Sequence, residues 1–201
     1  MGDHEKQQLV SSVSQPTQTK MSSEQGMWCI DIAEVFHRIN VQDSDTQAQR
    51  FLRWDKNDNS HQLSTYVTTA FTFGVSCAPC VAHYVRDTNA DEFRTKLPRA
   101  VDSIQNHHYM DDLIESEDTE YAAVELALQV GKIHAAAGFH IRNWASNSTK
   151  VLSQLSESSK ITQDAKQCGA TEKVLGMYWN AVTDDFKYNC RFVRLCRNVI
   201  D

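Results

Sequence analysis

The pattern of apolar and polar positions changes abruptly at residue 27. Residues 1–26 are rich in Gln, Ser, Thr and charged side chains and hold few apolar positions. Such a segment cannot bury enough surface to offset the entropy of ordering it. Residues 27–30 form a short apolar run, which predicts a buried strand ending at Asp31. We therefore expect a disordered polar tail over 1–26, a folded domain over 27–192 and a C-terminal tail over 193–201.

The first half of the folded region predicts two hairpins and one helix. Two strands are predicted over residues 50–54 and 62–71, on either side of a polar turn at 56–60. Residues 104–115 have the pattern of strand, tight turn and strand, with the sequence YMDD at 109–112 in the turn. Apolar residues at helical spacing between the two hairpins predict a helix with one apolar stripe, namely Cys77, Cys80, Val81, Tyr84 and Val85.

The second half predicts a helix, a strand and a final hairpin. Thr119 is suited to cap the N-terminus of an Ala-rich helix that runs to Ala137, and Gly138 is suited to end it. Residues 139–144 predict a strand and 153–170 a loop. Residues 174–179 and 186–192 predict a hairpin across the turn at 183–185, with alternating apolar and polar positions in its second strand. Strands interleaved with helices in this way favour an α+β domain.

Composition and charge limit the possible functions. Hydrophobic residues make up 41% of the 201 residues and charged residues 23%, as in ordinary globular proteins. The formal net charge is −6, so the chain as a whole is a poor phosphate binder. No apolar run approaches the length of a bilayer span, and the N-terminus lacks the apolar core of a secretory signal. We therefore expect an intracellular protein, neither secreted nor bound to membranes, with its six cysteines reduced.

Three aspartates are the strongest candidates for chemistry. Asp31 lies where the first strand is predicted to end, and Asp111 and Asp112 lie in a tight hairpin. If the strands are neighbours, the carboxylates converge, and clustered carboxylates suit hard divalent cations such as Mg²⁺ or Mn²⁺. Two such ions can activate an attacking hydroxyl and stabilise a leaving phosphate oxygen. Adjacent aspartates in a turn more often only stabilise the turn, and spacing alone does not decide between the two interpretations.

Five segments, in order, carry a family resemblance. They are residues 31–39 (DIAEVFHRI), 73–79 (FGVSCAP), 108–112 (HYMDD), 138–147 (GFHIRNWASN) and 172–177 (EKVLGM). Over roughly residues 27–192 the chain resembles the reverse transcriptase of Pao/BEL long-terminal-repeat retrotransposons. The resemblance implies a polymerase palm, with an antiparallel sheet and helices packed on one face. It also implies RNA-directed DNA polymerase activity, by two-metal nucleotidyl transfer onto a primer 3′-hydroxyl.

The resemblance implies a set of metal ligands. Asp31 and Asp111 are the main ligands of two Mg²⁺ (or Mn²⁺) ions, and Asp112 is an auxiliary carboxylate. The backbone carbonyl of Ile32 completes the coordination.

The resemblance also implies contacts with nucleotide and primer. Phe36 lies beneath the sugar of the incoming nucleotide, where its ring would exclude a 2′-hydroxyl; the alternative is that it is only a core aromatic. Phe73 and Gly74 belong to the loop that faces template and nucleotide. The residues implied to contact the primer are Tyr109, Met110, Leu175 and Gly176.

Some positions depart from the family pattern. Phe73 stands where Gln is frequent, and Cys77 and Ala78 stand where a Gly-Ser pair is frequent. A lysine that serves as general acid elsewhere has no clear counterpart, although Lys150 is a weak candidate.

The resemblance further implies partners and a setting. They are an RNA or DNA template-primer, deoxynucleotides and the rest of a pol polyprotein, with its fingers, thumb, ribonuclease H and integrase. The setting is the cytoplasm, inside a virus-like particle, or the nucleus. Few residues precede Asp31, so we expect fingers and thumb to be largely missing and the chain alone to be weak or inactive. The alternative is a non-enzymatic transposon-derived fragment that acts, if at all, through protein interactions.

A third possibility involves two cysteines. Cys77 and Cys80 form a CxxC with an internal proline, as in thiol–disulfide proteins. Both also fall on the predicted apolar stripe of the helix, so packing in the core is the favoured interpretation.

Overall fold

The computed structural model describes residues 26–54, 63–72, 74–157 and 171–187. The predicted tail over residues 1–25 and the region after residue 187 lie outside the described residues. The helices are α1 (Ala78–Asp91), α2 (Pro98–Asn106), α3 (Glu120–Ala136) and α4 (Thr149–Glu157), with 3₁₀ helices at Val35–Arg38 and Thr46–Gln49. The strands are β1 (Gly26–Ala33), β2 (Arg50–Trp54), β3 (Leu63–Val67), β4 (His108–Tyr109), β5 (Asp112–Glu117), β6 (His140–Ser146), β7 (Thr171–Val174), β8 (Met177–Asn180) and β9 (Asp185–Lys187).

The central sheet has four antiparallel strands in the order β4-β5-β1-β6. One face carries Trp28, Ile30, Leu113 and Trp144, which pack into a single core with apolar side chains of the helices. The two tryptophan rings lie 5.7 Å apart between centroids. Burial of large apolar side chains of this kind contributes most of the stability of such a layer. The predicted α+β fold, with helices on one face of an antiparallel sheet, is confirmed.

The opposite face of β1 is also covered. Met27 and Cys29 pack with Val174 and Trp179 of a second sheet, which has the order β7-β8-β9. Because β1 is buried on both faces, its apolar run is continuous rather than alternating. β1 begins at Gly26, one residue before the predicted domain boundary, and continues past Asp31, where the prediction ended it.

The ends of α3 follow the predicted signals. The Thr119 hydroxyl accepts a hydrogen bond of 3.2 Å from the backbone N–H of Ala122, as an N-cap does. Gly138 follows the helix with φ +74°, a left-handed conformation that glycine adopts without steric cost. Both predictions are confirmed.

The hairpin of β2 and β3 has the predicted pairing but a shorter second strand. Arg50 pairs with Val67 and Trp54 with Leu63, so β3 ends four residues before the predicted limit of 71. The predicted turn at 56–60 lies outside the described residues.

No described helix is long and apolar enough to cross a lipid bilayer.

Three other predictions of secondary structure were wrong. Residues 104–106 are helical rather than extended, because Ile104 shares a buried face of α2 with Ala100 and Val101. Residues 153–157 belong to α4 rather than to a loop, because Leu155 lies one turn after Val151 and both are buried. The predicted strand over 174–179 is broken by a two-residue turn at 175–176, which separates β7 from β8.

The predicted apolar stripe of α1 was correct for Val81 and Val85, which are half-buried and pack against an apolar cluster, but wrong for Tyr84 and for the packing role of the two cysteines. Cys77 and Cys80 are exposed free thiols, and Tyr84 is 72% exposed. The buried stripe instead recurs every four residues, as Ala78, Ala82, Arg86 and Ala90. Alanines let the helix approach its neighbours closely, so the small residues and not the larger cysteines face inward.

Candidate active site

The site lies near the end of β1, where carboxylates of two strands face each other. Asp31 on β1 is the cross-strand partner of Asp112 on β5. Alternate residues of a strand share a face, so both side chains lie on the side of Met27 and Cys29, away from the helices. Directly opposed Cβ atoms in antiparallel strands are about 4.5–5.5 Å apart, and like charges there repel. The predicted neighbourhood of the first strand and the hairpin carboxylates is therefore present.

Asp111 lies at the tip of the hairpin that joins β4 to β5. Tyr109 pairs with Asp112, which leaves two central residues, the second of which is Asp111. The carbonyl of Asp111 accepts a hydrogen bond of 2.8 Å from the backbone N–H of Ile32. This bond attaches the hairpin tip to β1 next to Asp31, so the three aspartates lie at one end of the sheet.

Helix α1 holds the hairpin from behind. The backbone N–H of Met110, which has φ +57°, donates to Nε2 of His83 at 3.2 Å. Burial, and then the charge of Arg86, lower the pKa of His83, which favours the neutral ring that can accept this bond. Arg86 is itself buried and donates from Nη1 to the carbonyl of His108 at 2.8 Å. Two side chains of one helix thus fix both the strand before the turn and the turn itself.

The carboxyl group of Asp112 is held in a poorly solvated position. Burial raises its pKa, and the neighbouring charges of Asp111 and Asp31 raise it further. Two neighbours lower the pKa: the backbone N–H of Leu175, which donates to Oδ2 of Asp112 at 2.8 Å, and the charge of Lys173. The carboxyl groups of Asp111 and Asp31 are therefore close enough to Asp112 to disfavour its negative charge.

Asp31 is held by two side chains of β6 because that strand contains a bulge. Asp31 pairs with Asn143 and Ile32 with Ile141, so Arg142 is the extra residue between them. Neighbouring residues of a regular strand face opposite sides, but here both side chains reach the same oxygen. Nε of Arg142 donates to Oδ2 of Asp31 at 3.1 Å, Nη2 of Arg142 donates to it too, and Nδ2 of Asn143 donates at 3.2 Å.

The other oxygen of Asp31 has a different environment. Oδ1 is buried and has no hydrogen-bond partner among the described residues. Buried carboxylate oxygens without a partner are rare and require an explanation.

The candidate nucleotide contacts lie partly beside this cluster. Phe36 is 6% exposed and packs in one apolar cluster with Val75 and Met110, so it lies near the hairpin and beside the loop that holds Gly74. Gly74 has φ +86° and open space around its Cα. Phe73 lies outside the described residues. The burial of Phe36 suits the core-aromatic alternative as well as a ring that forms the floor of a nucleotide site.

The candidate primer contacts surround the hairpin. Leu175 and Gly176 form the turn between β7 and β8, with φ of +51° and +77°. The bond from Leu175 to Asp112 places this turn against the catalytic candidates. Tyr109 is 61% exposed, and its ring lies edge-on to His83 with 5.7 Å between centroids. Lys150 lies elsewhere, since its Nζ is paired with Glu120 at 3.1 Å.

The comparison with protein families decides the identity. Residues 3–154, more than half of the chain, match the profile of the family described as reverse transcriptase (RNA-dependent DNA polymerase). The chain belongs to the reverse transcriptase family. A comparison with curated proteins gave no match. Reverse transcriptases bind a nucleic-acid template-primer and nucleotides, and they generally use divalent metal ions.

The aspartates of this reverse transcriptase are chemically suited to such ions, but their side chains are not arranged around a common metal position. Asp31, Asp111 and Asp112 offer the oxygen ligands that Mg²⁺ prefers, and Oδ1 of Asp31 is buried without a hydrogen-bond partner among the described residues. Within the described residues, however, no three His, Cys, Asp or Glu side chains form a group that could hold a metal ion. Bound divalent ions would neutralise the carboxylates and activate the reacting oxygens.

Several site residues of this reverse transcriptase were missed in the sequence. Arg142 and Asn143 lie in one of the matching segments, but no role was predicted for them, because nothing in a regular strand pattern predicts a bulge. Arg86 was overlooked because a charged residue is rarely part of a buried helical stripe. The available signal was its position: Arg86 continues the four-residue spacing of Ala78, Ala82 and Ala90.

Proposed function

We propose that this chain is the catalytic palm of an RNA-directed DNA polymerase from a Pao/BEL long-terminal-repeat retrotransposon. It transfers a deoxynucleotide onto the 3′-hydroxyl of a primer, using two Mg²⁺ or Mn²⁺ ions held by Asp31, Asp111 and Asp112. The family membership supports the general activity, and the five matching segments support the lineage. The domain assignment of 27–192, and a cytoplasmic particle or the nucleus as its location, belong to the same proposal.

One observation carries the mechanism, namely the convergence of the three aspartates. Asp31 and Asp112 are cross-strand partners, and Ile32 bonds to the carbonyl of Asp111. Burial raises the pKa of Asp112 and the charges of Asp111 and Asp31 raise it further; a bound cation would relieve this repulsion. Asp31 and Asp111 are the main ligands in this proposal, with the carbonyl of Ile32 beside them. Asp112 is auxiliary because one of its oxygens is bonded to the N–H of Leu175.

The surrounding residues position the substrates. The ring of Phe36 supports the sugar, with Phe73 and Gly74 on the side of the base. Tyr109 and Met110 contact the end of the primer. The turn at Leu175 and Gly176 adjoins Asp112, and the primer backbone can pass close to this turn because glycine has no side chain. Phosphoryl transfer depends mainly on such positioning and on charge neutralisation.

We further propose that the 201-residue chain works slowly by itself. Its net charge of −6 gives little attraction for duplex and triphosphate. Basic partners, such as the fingers and thumb of a polyprotein, would supply it. A second candidate, a non-enzymatic fragment acting through protein contacts, is favoured by one observation: no described group of three side chains is arranged to hold a metal.

Single-nucleotide extension of a labelled primer on an RNA template tests the proposal. The full chain, in excess over template-primer and with Mn²⁺ present, should add a deoxynucleotide slowly. Asp111→Asn should reduce the rate by at least about a hundredfold, because a main metal ligand is lost. The matched control is Asp118→Asn, which removes the same charge at an exposed position just beyond β5.

Each result has a defined meaning. Slow extension that is lost in Asp111→Asn and kept in Asp118→Asn supports the palm. Extension that survives Asp111→Asn contradicts the ligand assignment. Extension as fast as that of a complete polymerase contradicts the slow-working proposal, and no extension at any concentration supports the non-enzymatic fragment.

A further inference from the structure

One feature of the site opposes metal binding, namely the guanidinium of Arg142. Oδ2 of Asp31 accepts hydrogen bonds from Arg142 and Asn143. Oδ1 is buried and out of contact with solvent. Neither oxygen of the first carboxylate is therefore available to an ion in this conformation, which agrees with the lack of any metal-holding group among the described side chains.

We propose that Arg142 is a displaceable internal cation that occupies Asp31 in the metal-free protein and competes with the divalent ion. This inference rests on the proposed function, because it takes Asp31 as a metal ligand. The side chain of Arg142 is 55% exposed and lies at a bulge. The guanidinium can therefore leave the carboxylate by rotation of this side chain, without breaking the pairing of β6 with β1.

The charges around Arg142 explain why it remains there without metal. Its hydrogen bond to Asp31, followed by the charges of Asp31, Asp111 and Glu34, raise its pKa above the usual value. It is thus the ion-pair partner of Asp31, and the charges of Asp111 and Glu34 also favour it there. Without it the carboxylates would repel one another across the β1–β5 pair.

The same charges explain why a divalent ion would win. An ion pair as exposed as this one is weak, since solvent screens it and the side chain loses entropy. A divalent cation carries twice the charge and can contact several carboxylate oxygens at once. Arg142 therefore lowers the apparent affinity for the metal without preventing its binding. Asn143 remains as a neutral donor that keeps Asp31 oriented.

Titration with Mn²⁺ alone, followed by the electron paramagnetic resonance signal of the free ion, tests the inference on the full chain. Arg142→Gln should bind Mn²⁺ roughly three- to tenfold more tightly, because one positive charge next to the site is removed. Arg142→Lys keeps the charge and should bind as the wild type does. The matched control is Arg38→Gln, an exposed arginine that pairs with Glu34 at 3.8 Å; it should change the affinity by less than about twofold.

The outcomes separate the inference from the proposed function. Asp31→Asn should abolish binding in either background. If binding depends on Asp31 but Arg142→Gln leaves it unchanged or weakens it, the competing role of Arg142 is wrong and the metal site stands. If neither the wild type nor any variant binds Mn²⁺, or if Asp31→Asn leaves binding unchanged, both the role of Arg142 and the proposed metal site are wrong. Thermal unfolding of each variant shows whether a loss of binding is a loss of fold.

Discussion

Two histidines are buried beneath the hairpin of β4 and β5, and they should make the fold sensitive to mild acid. His134 of α3 is fully buried, and its ring lies edge-on to that of His108, with 5.2 Å between centroids. Neither ring nitrogen of His134 has a hydrogen-bond partner among the described residues. Burial, and then the charge of Arg86, lower the pKa of His134 from 6.5 to about 3.

The direction of the effect follows from which state binds protons. Below pH 6.5 the unfolded chain protonates this histidine, whereas the folded chain keeps it neutral until about pH 3. Protons therefore favour unfolding throughout that window, and stability rises with pH up to about 6.5. For these two pKa values the free energy of unfolding should fall by about 2 kcal/mol between pH 7 and pH 5. Burial also lowers the pKa of His108, which adds to the effect.

Urea unfolding at pH 7 and pH 5, followed by the fluorescence of the buried tryptophans, measures this loss. The midpoint should fall by about 1 M urea at the lower pH. His134→Leu removes the titrating group while keeping similar volume, so its midpoint should shift much less. The control, His140→Gln, changes an exposed histidine of β6 and should keep the wild-type shift. If His134→Leu retains the full pH dependence, the buried neutral histidine is not its source.

Two further predictions concern single side chains. Phe36→Val should shift incorporation towards ribonucleotides in an enzyme that carries this palm, because it opens the space of a 2′-hydroxyl. Ile39→Val, in the same apolar cluster, should leave that ratio unchanged, and an unchanged ratio for both variants would make Phe36 a core aromatic. Thr119→Ala should lower the free energy of unfolding by about 1 kcal/mol through loss of the cap on α3, measured by urea titration; no loss would mean that the cap is dispensable.

The sequence predicted the parts of the fold that depend on local signals. The cap at Thr119, the end at Gly138 and the apolar run of β1 are each encoded by a few adjacent residues. Errors arose where tertiary contacts decided the outcome. Ile104 lies close enough before the hairpin of β4 and β5 to suggest a place in its first strand, but packing against α3 makes it helical.

The sequence predicted the three aspartates of the candidate site but not the residues that hold them in place. Asp31, Asp111 and Asp112 belong to segments that a family pattern identifies. Arg142 reaches Asp31 only because of a bulge in β6, and bulges leave no clear mark in one sequence. The turn at residues 175–176 was missed in the same way, although its glycine offered a signal.

The position of a bound Mn²⁺ ion would show whether Asp31 and Asp111 form one metal site. Crystals of the full chain grown with Mn²⁺ would reveal the ion through its anomalous scattering. We expect a peak within about 2.0–2.3 Å of carboxylate oxygens from both Asp31 and Asp111, with the guanidinium of Arg142 moved away from Asp31. A peak that contacts only one of the two aspartates, or that lies elsewhere on the protein, would contradict this prediction.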